Sequence, residues 1–354
     1  MQRDIIKIGG LKAHPTKTSH DFDWRAALLM RDTLRAPCLR QARPTLMNIT
    51  PTTEDRVWAV ISHLSALAFG MGIALPIVGW SDQRRKSNYA SFQSLQALGY
   101  QSLGFTVWAL SYLVVVIVVS LIILAIAGSS SSNTENIDAA LAPWLIVLVL
   151  VVFGFLGVYL VLPVIAAIAC ALGRDFRYPL LGDRLARYLG YEPIQEQGVW
   201  LNEEHEVRWV AAMGHFSILI VIWGMLAPLA TWVLQGKQNL FLKFHSVQTL
   251  VYQALATILY FLGIFFYLVG VALIVAGLGA IEEVSFDSPV GVVGIVLFSV
   301  TVLLAILLLL FLPFMHILAQ WAGYRVLKGD NYPYPWVGRF VDKWMSKHPA
   351  IEEN

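Results

Sequence analysis

Two histidines and two polar stripes stand out as groups able to do chemistry in an otherwise apolar chain. His63 and His215 each follow an arginine, Arg56 and Arg208, by seven residues. Imidazole can ligate haem or a metal, relay a proton, or hydrogen-bond a neighbouring helix. Metal ligation lacks support, since no carboxylate or thiol stands at ligand spacing and no second histidine follows at i+4. Gln93, Gln96 and Tyr100 recur at i, i+3 and i+7, one face of a helix, and His245, Gln248 and Tyr252 repeat that face. Such a stripe turns toward protein, because an unpaired amide in hydrocarbon is costly. It either glues its helix to a neighbour or lines a water-filled path between two halves of the molecule. His316 and Gln320, at i and i+4, have no counterpart elsewhere and carry less weight.

Catalytic patterns are missing. There is no Gly-x-Ser-x-Gly, no His-Glu-x-x-His and no phosphate loop, and the acidic residues lie in loops or at the edges of apolar runs. General acid–base work has no obvious agent, so the chain reads as a non-enzyme. Cys38 and Cys170 are too far apart in the chain for a disulfide framework, and no cofactor or metal site is expected. A net charge of +2 points to no nucleic-acid partner.

The elements that position these residues are long apolar helices. Hydrophobic residues make up 57% of the 354 positions and charged residues 14%, against about 25% charged in soluble domains; mean hydropathy is +0.65. Residues 105–127, 144–172, 254–280 and 290–322 contain no Asp, Glu, Lys or Arg. Each run exceeds the ~20 residues that cross a bilayer as a helix. The expected fold is an all-α polytopic membrane protein embedded in a lipid bilayer.

The chain also repeats itself. Residues 56–101 align with 208–253 at an offset of 152 without a gap, identical at 15 of 46 positions, where composition would give roughly four. The matches include His63/His215, Ser65/Ser217, Gly72/Gly224, Pro76/Pro228, Trp80/Trp232, Gln96/Gln248, Tyr100/Tyr252 and Gln101/Gln253. At an offset of 156, Gly173/Gly329, Tyr178/Tyr334, Pro179/Pro335 and Gly182/Gly338 match as well. Two tandem modules follow, over 47–200 and 201–354. Each holds a Gly- and Pro-interrupted segment, two long helices, a Tyr-Pro turn and an amphipathic tail (181–188 and 337–345). The tails suit helices lying in the membrane interface or exposed linkers.

Residues 1–46 carry nine Lys/Arg and four Asp, without a secretory signal. They read as a disordered basic extension, a transit peptide, or sequence upstream of a true start at Met47, which leads straight into the first module.

Charge decides between two topologies. Six alternating spans would put 17 Lys/Arg on one side and 8 on the other. If 56–80 and 208–234 instead enter and return as hairpins, broken near 70–72 and 224–228, all 25 fall on one side. The hairpin arrangement makes the modules parallel copies. It puts the termini and basic loops in the cytoplasm of a bacterial inner membrane.

These residues resemble a known family. Residues 54–58, His63-Leu64-Ser65, 76–80, Phe-x-Ser-x-Gln at 92–96 and Arg177-Tyr178-Pro179 resemble a widespread prokaryotic membrane module of unknown function. That module is similar to the small membrane subunit of the chloroplast Tic import translocon. Phe244-His245-Ser246-Val247-Gln248 resembles the family's Phe-His-x-x-Gln motif, from which the first copy departs with Gln93. The resemblance implies four short-to-medium membrane helices per module and no activity. Three functions compete. The first is a non-enzymatic scaffold, assembly or translocation-like component working with another membrane protein. The second is an ion or small-solute transporter using the stripes, and the third a haem- or metal-binding protein using His63 and His215.

Overall fold

A computed structural model describes residues 50–129, 135–192, 200–279 and 289–347. The basic extension 1–46 and the loop acids Glu282, Glu283 and Asp287 lie outside them. Each module opens where a short polar side chain caps a helix. Thr52 accepts from the Asp55 amide (3.2 Å) while the Asp55 carboxylate accepts from the Thr52 amide (2.8 Å), a reciprocal box that starts α1 (Thr53–Leu64). In the second module Asn202 accepts from the His205 amide at 3.1 Å and starts α6 (Glu203–Phe216).

Both helices end in tight 3₁₀ turns and the chain doubles back. Phe69 and Gly70 take positive φ (45° and 81°) before α2 (Ala74–Gln83). In the second module Val221 breaks the run (φ 52°, ψ −124°) before α7 (Leu226–Gln235). The second break thus falls at Val221, ahead of the expected 224–228; Gly224 and Pro228 lie on the returning arm. The reason is steric. A Cβ on Gly72 would sit 1.9 Å from the Ser65 carbonyl oxygen, and one on Gly224 2.0 Å from that of Ser217. The glycines are where the arms touch, beyond the bend itself. In the first hairpin the far ends also meet, as Gln83 Nε2 donates to Glu54 Oε1 at 3.0 Å. The stretch Glu203–Gln235 is long and apolar enough to span a membrane, yet it too is a hairpin.

Four long helices follow the hairpins: α3 (Asn88–Ser129) and α4 (Glu135–Ala171) in the first module, α8 (Leu240–Gly279) and α9 (Pro289–Leu327) in the second. At 1.5 Å per residue the 42 residues of α3 extend about 63 Å, twice a hydrocarbon core of ~30 Å. Much of the surplus is its first 15 residues, whose polar face packs inside the first module, while residues such as Leu110, Leu121 and Leu124 lie exposed as lipid-facing surface. Each module closes with a short amphipathic helix, α5 (Gly182–Leu189) and α10 (Val337–Lys347). The apolar face of α5, Leu185 and Leu189, is buried in the core that joins the modules.

No strand occurs among the described residues. The molecule is an all-α polytopic membrane protein of two parallel modules. The hairpin ends and the end of α4 share one end of the first module: the Arg56 side chain lies against Gly173, whose positive φ (73°) follows α4. Arg208 and Gly329 (φ 102°) repeat this contact, each arginine facing a helix C-terminus as the peptide dipole favours.

Candidate functional site

The repeated polar residues build the same buried network twice. In the first module Gln101 Nε2 donates to Ser65 Oγ at 2.8 Å, and Ser65 Oγ donates to the Ser62 carbonyl at 2.8 Å. Gln253, Ser217 and Gly214 reproduce this at 3.2 and 2.7 Å. One glutamine therefore pins each long helix to its hairpin at the turn, where tight 3₁₀ geometry leaves carbonyls in need of donors.

One turn earlier, the stripe ties down the segment after the second long helix. Gln96 Nε2 donates to the Phe176 carbonyl (3.0 Å) and its Oε1 accepts from the Tyr178 amide (3.0 Å). Gln248 does the same with Tyr332 (3.1 Å) and Tyr334 (3.2 Å). Tyr178 stacks on Tyr100 with ring centroids 4.1 Å apart, and Tyr334 on Tyr252 at 4.0 Å. The Tyr100 hydroxyl donates to the Tyr159 carbonyl (3.2 Å), and that of Tyr252 to the Met315 carbonyl (3.1 Å).

His63 and His215 close the networks. The Gln93 Oε1 at 3.0 Å can only accept, so His63 Nε2 carries the proton, and Nδ1 accepts from the Tyr178 hydroxyl at 3.0 Å. In the second module Gln248 donates to His245 Nδ1 (3.0 Å), which makes that nitrogen an acceptor. His215 Nε2 then donates to it at 3.2 Å, and His215 Nδ1 accepts from Tyr334 (2.7 Å) and Thr249 (3.0 Å). Both imidazoles thus share one tautomer, with both ring nitrogens engaged. They sit in separate modules, each held by its own tyrosine.

The copies differ at the next shell outward. Gln93 Nε2 donates to Asp175 Oδ1 at 3.0 Å, and Asp175 pairs with Arg177 at 3.2 Å. Burial pushes the Asp175 carboxyl above the usual carboxylate value, partly offset by Arg177, Tyr191 and Gln93. In the second copy His245, Asn331 and Pro333 occupy those positions. His245 Nε2 reaches toward the Asn331 side chain without a well-formed hydrogen bond.

The stripe amides therefore face inward within their own modules, and the Tyr100 ring also borders a cleft between them. The modules join through other residues. Trp80 Nε1 donates to Glu206 Oε1 (3.3 Å), and Arg84 reaches Glu203 (3.1 Å) and Gln235 (2.9 Å). Trp209 Nε1 donates to the Leu95 carbonyl (2.9 Å), its ring against Gly99, where a Cβ would stand 2.4 Å from it. Thr106 Oγ1 donates to Gln320 Oε1 at 3.2 Å. Glu206 is fully buried, although sequence position makes it an edge residue, because Trp80 and Arg84 of the other module cover it. Gln320, discounted for lacking a counterpart, bridges the modules for that same reason. Tyr178 and Tyr334 were visible only as repeat identities.

Among the described residues no group of three or more His, Cys, Asp or Glu could hold a metal. The model of the magnetosome magnetite crystal formation protein family matches residues 54–185 and 206–341, one match per module. The chain belongs to that family. The two matched segments of the magnetosome family run from the opening of each hairpin to the tail helix, so each includes one complete polar network. The match supports the tandem membrane module and gives no support to the Tic similarity. No curated protein and no solved structure matches the chain.

Proposed function

We propose that the chain is a non-enzymatic membrane scaffold that takes part in magnetite crystal formation at the magnetosome, where its paired modules serve as a rigid base for another membrane protein. One observation carries this reading: the intramembrane histidines, glutamines and tyrosines are bonded to one another and to backbone carbonyls inside each module. Most of their donors and acceptors are engaged in packing; the exceptions, buried without a partner among the described residues, include His245 Nε2 and the Gln101 and Gln253 Oε1 atoms. A role in crystal formation comes from the family description. A translocation-like role, from the Tic resemblance, is a variant of the same scaffold reading. The basic residues at the shared end of the hairpins and of α4 favour a cytoplasmic placement of that end. Against the transporter reading, the Gln96 and Gln248 amides are bonded to backbone within their own modules.

Deleting the gene in its native cell and imaging the crystals by electron microscopy tests the proposal. A scaffold role predicts altered crystal size or shape with total cell iron unchanged. Unaltered crystals would refute it, as would iron uptake by liposomes that hold the purified chain alone.

A further inference from the structure

The polar networks leave one large feature unexplained, a cleft between the modules of about 990 Å³, at the top of the ~300–1,000 Å³ range of small-molecule sites. Its deep wall is apolar and membrane-embedded, formed by Trp108 of α3 and Phe155 and Leu156 of α4. Along α3 the lining runs from Tyr100 to Trp108, a depth of roughly 12 Å at helical rise. At the opposite end the lining changes character. Arg184 of α5 and Lys328, one residue past α9, stand there from opposite modules, both exposed.

These two cations have no anionic partner among the described residues. Carboxylates lie close by in sequence, but both are taken: Asp183 pairs with Arg177 and Asp330 with Arg325. Lys328 lies 5.8 Å over the Tyr324 ring, an aromatic held at the same level. Neither cation is repeated in the other copy, where the equivalent positions are Phe340 and Leu172. The duplication therefore does not explain them, and they occur where the cleft opens.

We infer that this cleft is a binding site for one anionic phospholipid, its phosphate between Arg184 and Lys328 and an acyl chain along Trp108, Phe155 and Leu156. Unpaired cations above an apolar slot of chain-like depth match an anionic headgroup with its tail, and match neither a soluble anion nor a neutral hydrophobe. Because the walls come from both modules, the lipid bridges the seam. The inference is independent of the crystal-formation role.

Native mass spectrometry of the full chain in mild detergent, stripped of lipid and titrated with phosphatidylglycerol or phosphatidylcholine, tests it. One phosphatidylglycerol per chain should bind at least tenfold more tightly than phosphatidylcholine. Arg184→Gln with Lys328→Gln should weaken phosphatidylglycerol roughly thirtyfold, two surface cations' worth of attraction. Leu156→Trp, which fills the slot and keeps both charges, should lower binding at least tenfold. Arg187→Gln with Lys343→Gln, which removes two exposed cations outside the cleft, should change nothing. Equal binding of the two lipids would overturn the inference. So would an equal loss in the Arg187/Lys343 control, or displacement of the lipid by glycerol phosphate at the same concentration.

Discussion

The two modules contain the same glutamate–glutamine pair at the mouth of the hairpin, and use it in opposite ways. In the first, Glu54 and Gln83 bond each other across the hairpin ends, with Glu54 exposed. In the second, the equivalent Glu206 and Gln235 turn outward to the first module, bonding Trp80, Arg84 and Ser81, and Glu206 is fully buried. One residue decides the difference. Arg84 in the first copy faces both partners, whereas its counterpart is Gly236. Residue identity within a repeat fixes which atoms are present; the neighbouring copy fixes what they bond.

Arg84→Ala should break this asymmetry with the largest effect. It removes the bonds to Gln235 and Glu203 and leaves Glu206 buried without a nearby cation, and about 2–3 kcal/mol of stability should be lost. Glu54→Ala removes only an exposed contact and should stay within about 1 kcal/mol. Unfolding of the purified chain by detergent titration compares the two, and equal losses would show that the seam does not depend on Arg84. A smaller contrast lies at the histidines. Tyr178→Phe strips His63 Nδ1 of its one donor, whereas in Tyr334→Phe the Thr249 hydroxyl still serves His215 Nδ1. The first should cost about 1–2 kcal/mol and the second less than about half of that. Reversed order in the same titration would contradict the tautomers assigned here.

The smallest effect concerns Asp175, which has Asn331 as its neutral counterpart. Burial raises the folded-state pKa of Asp175 above the ordinary 3.8. The folded chain then holds the proton more tightly than the unfolded one. The contribution of this site falls as pH rises from 3.8 through the raised value, and is level above it. Asp175→Asn should flatten that part of a melting-temperature profile without lowering the value at pH 7. A steeper profile in the variant would reverse the sign assigned to the burial effect.

Much of the fold was legible because it rests on local rules. Charge-free runs require helices, and the distribution of Lys and Arg favoured hairpins over single spans. The repeat identities Ser65, Gly72, Gln101 and Tyr178 each proved to be a contact that both copies need. The stripe Gln93–Gln96–Tyr100 was readable as a face, but not whether that face met a water path or the protein. That depends on the segment at 175–178, some 80 residues away, which no periodicity connects to it. The position of the second bend was misread for a physical reason: glycine and proline were taken as breakers, whereas Gly224 serves close approach and the break falls on Val221. Glu206 and Trp209 were missed, and Gln320 given too little weight, because contacts between copies leave no mark in a repeat; each differs in role from its counterpart, or has none.

The most direct test of a structural role for the polar networks is the double variant Gln96→Leu with Gln248→Leu, purified beside the parent chain and reconstituted in liposomes. Packing predicts a clear fall in melting temperature for the variant, and no ion or iron flux through either protein. A parent chain that conducts, together with a variant that melts like the parent yet no longer conducts, would contradict it.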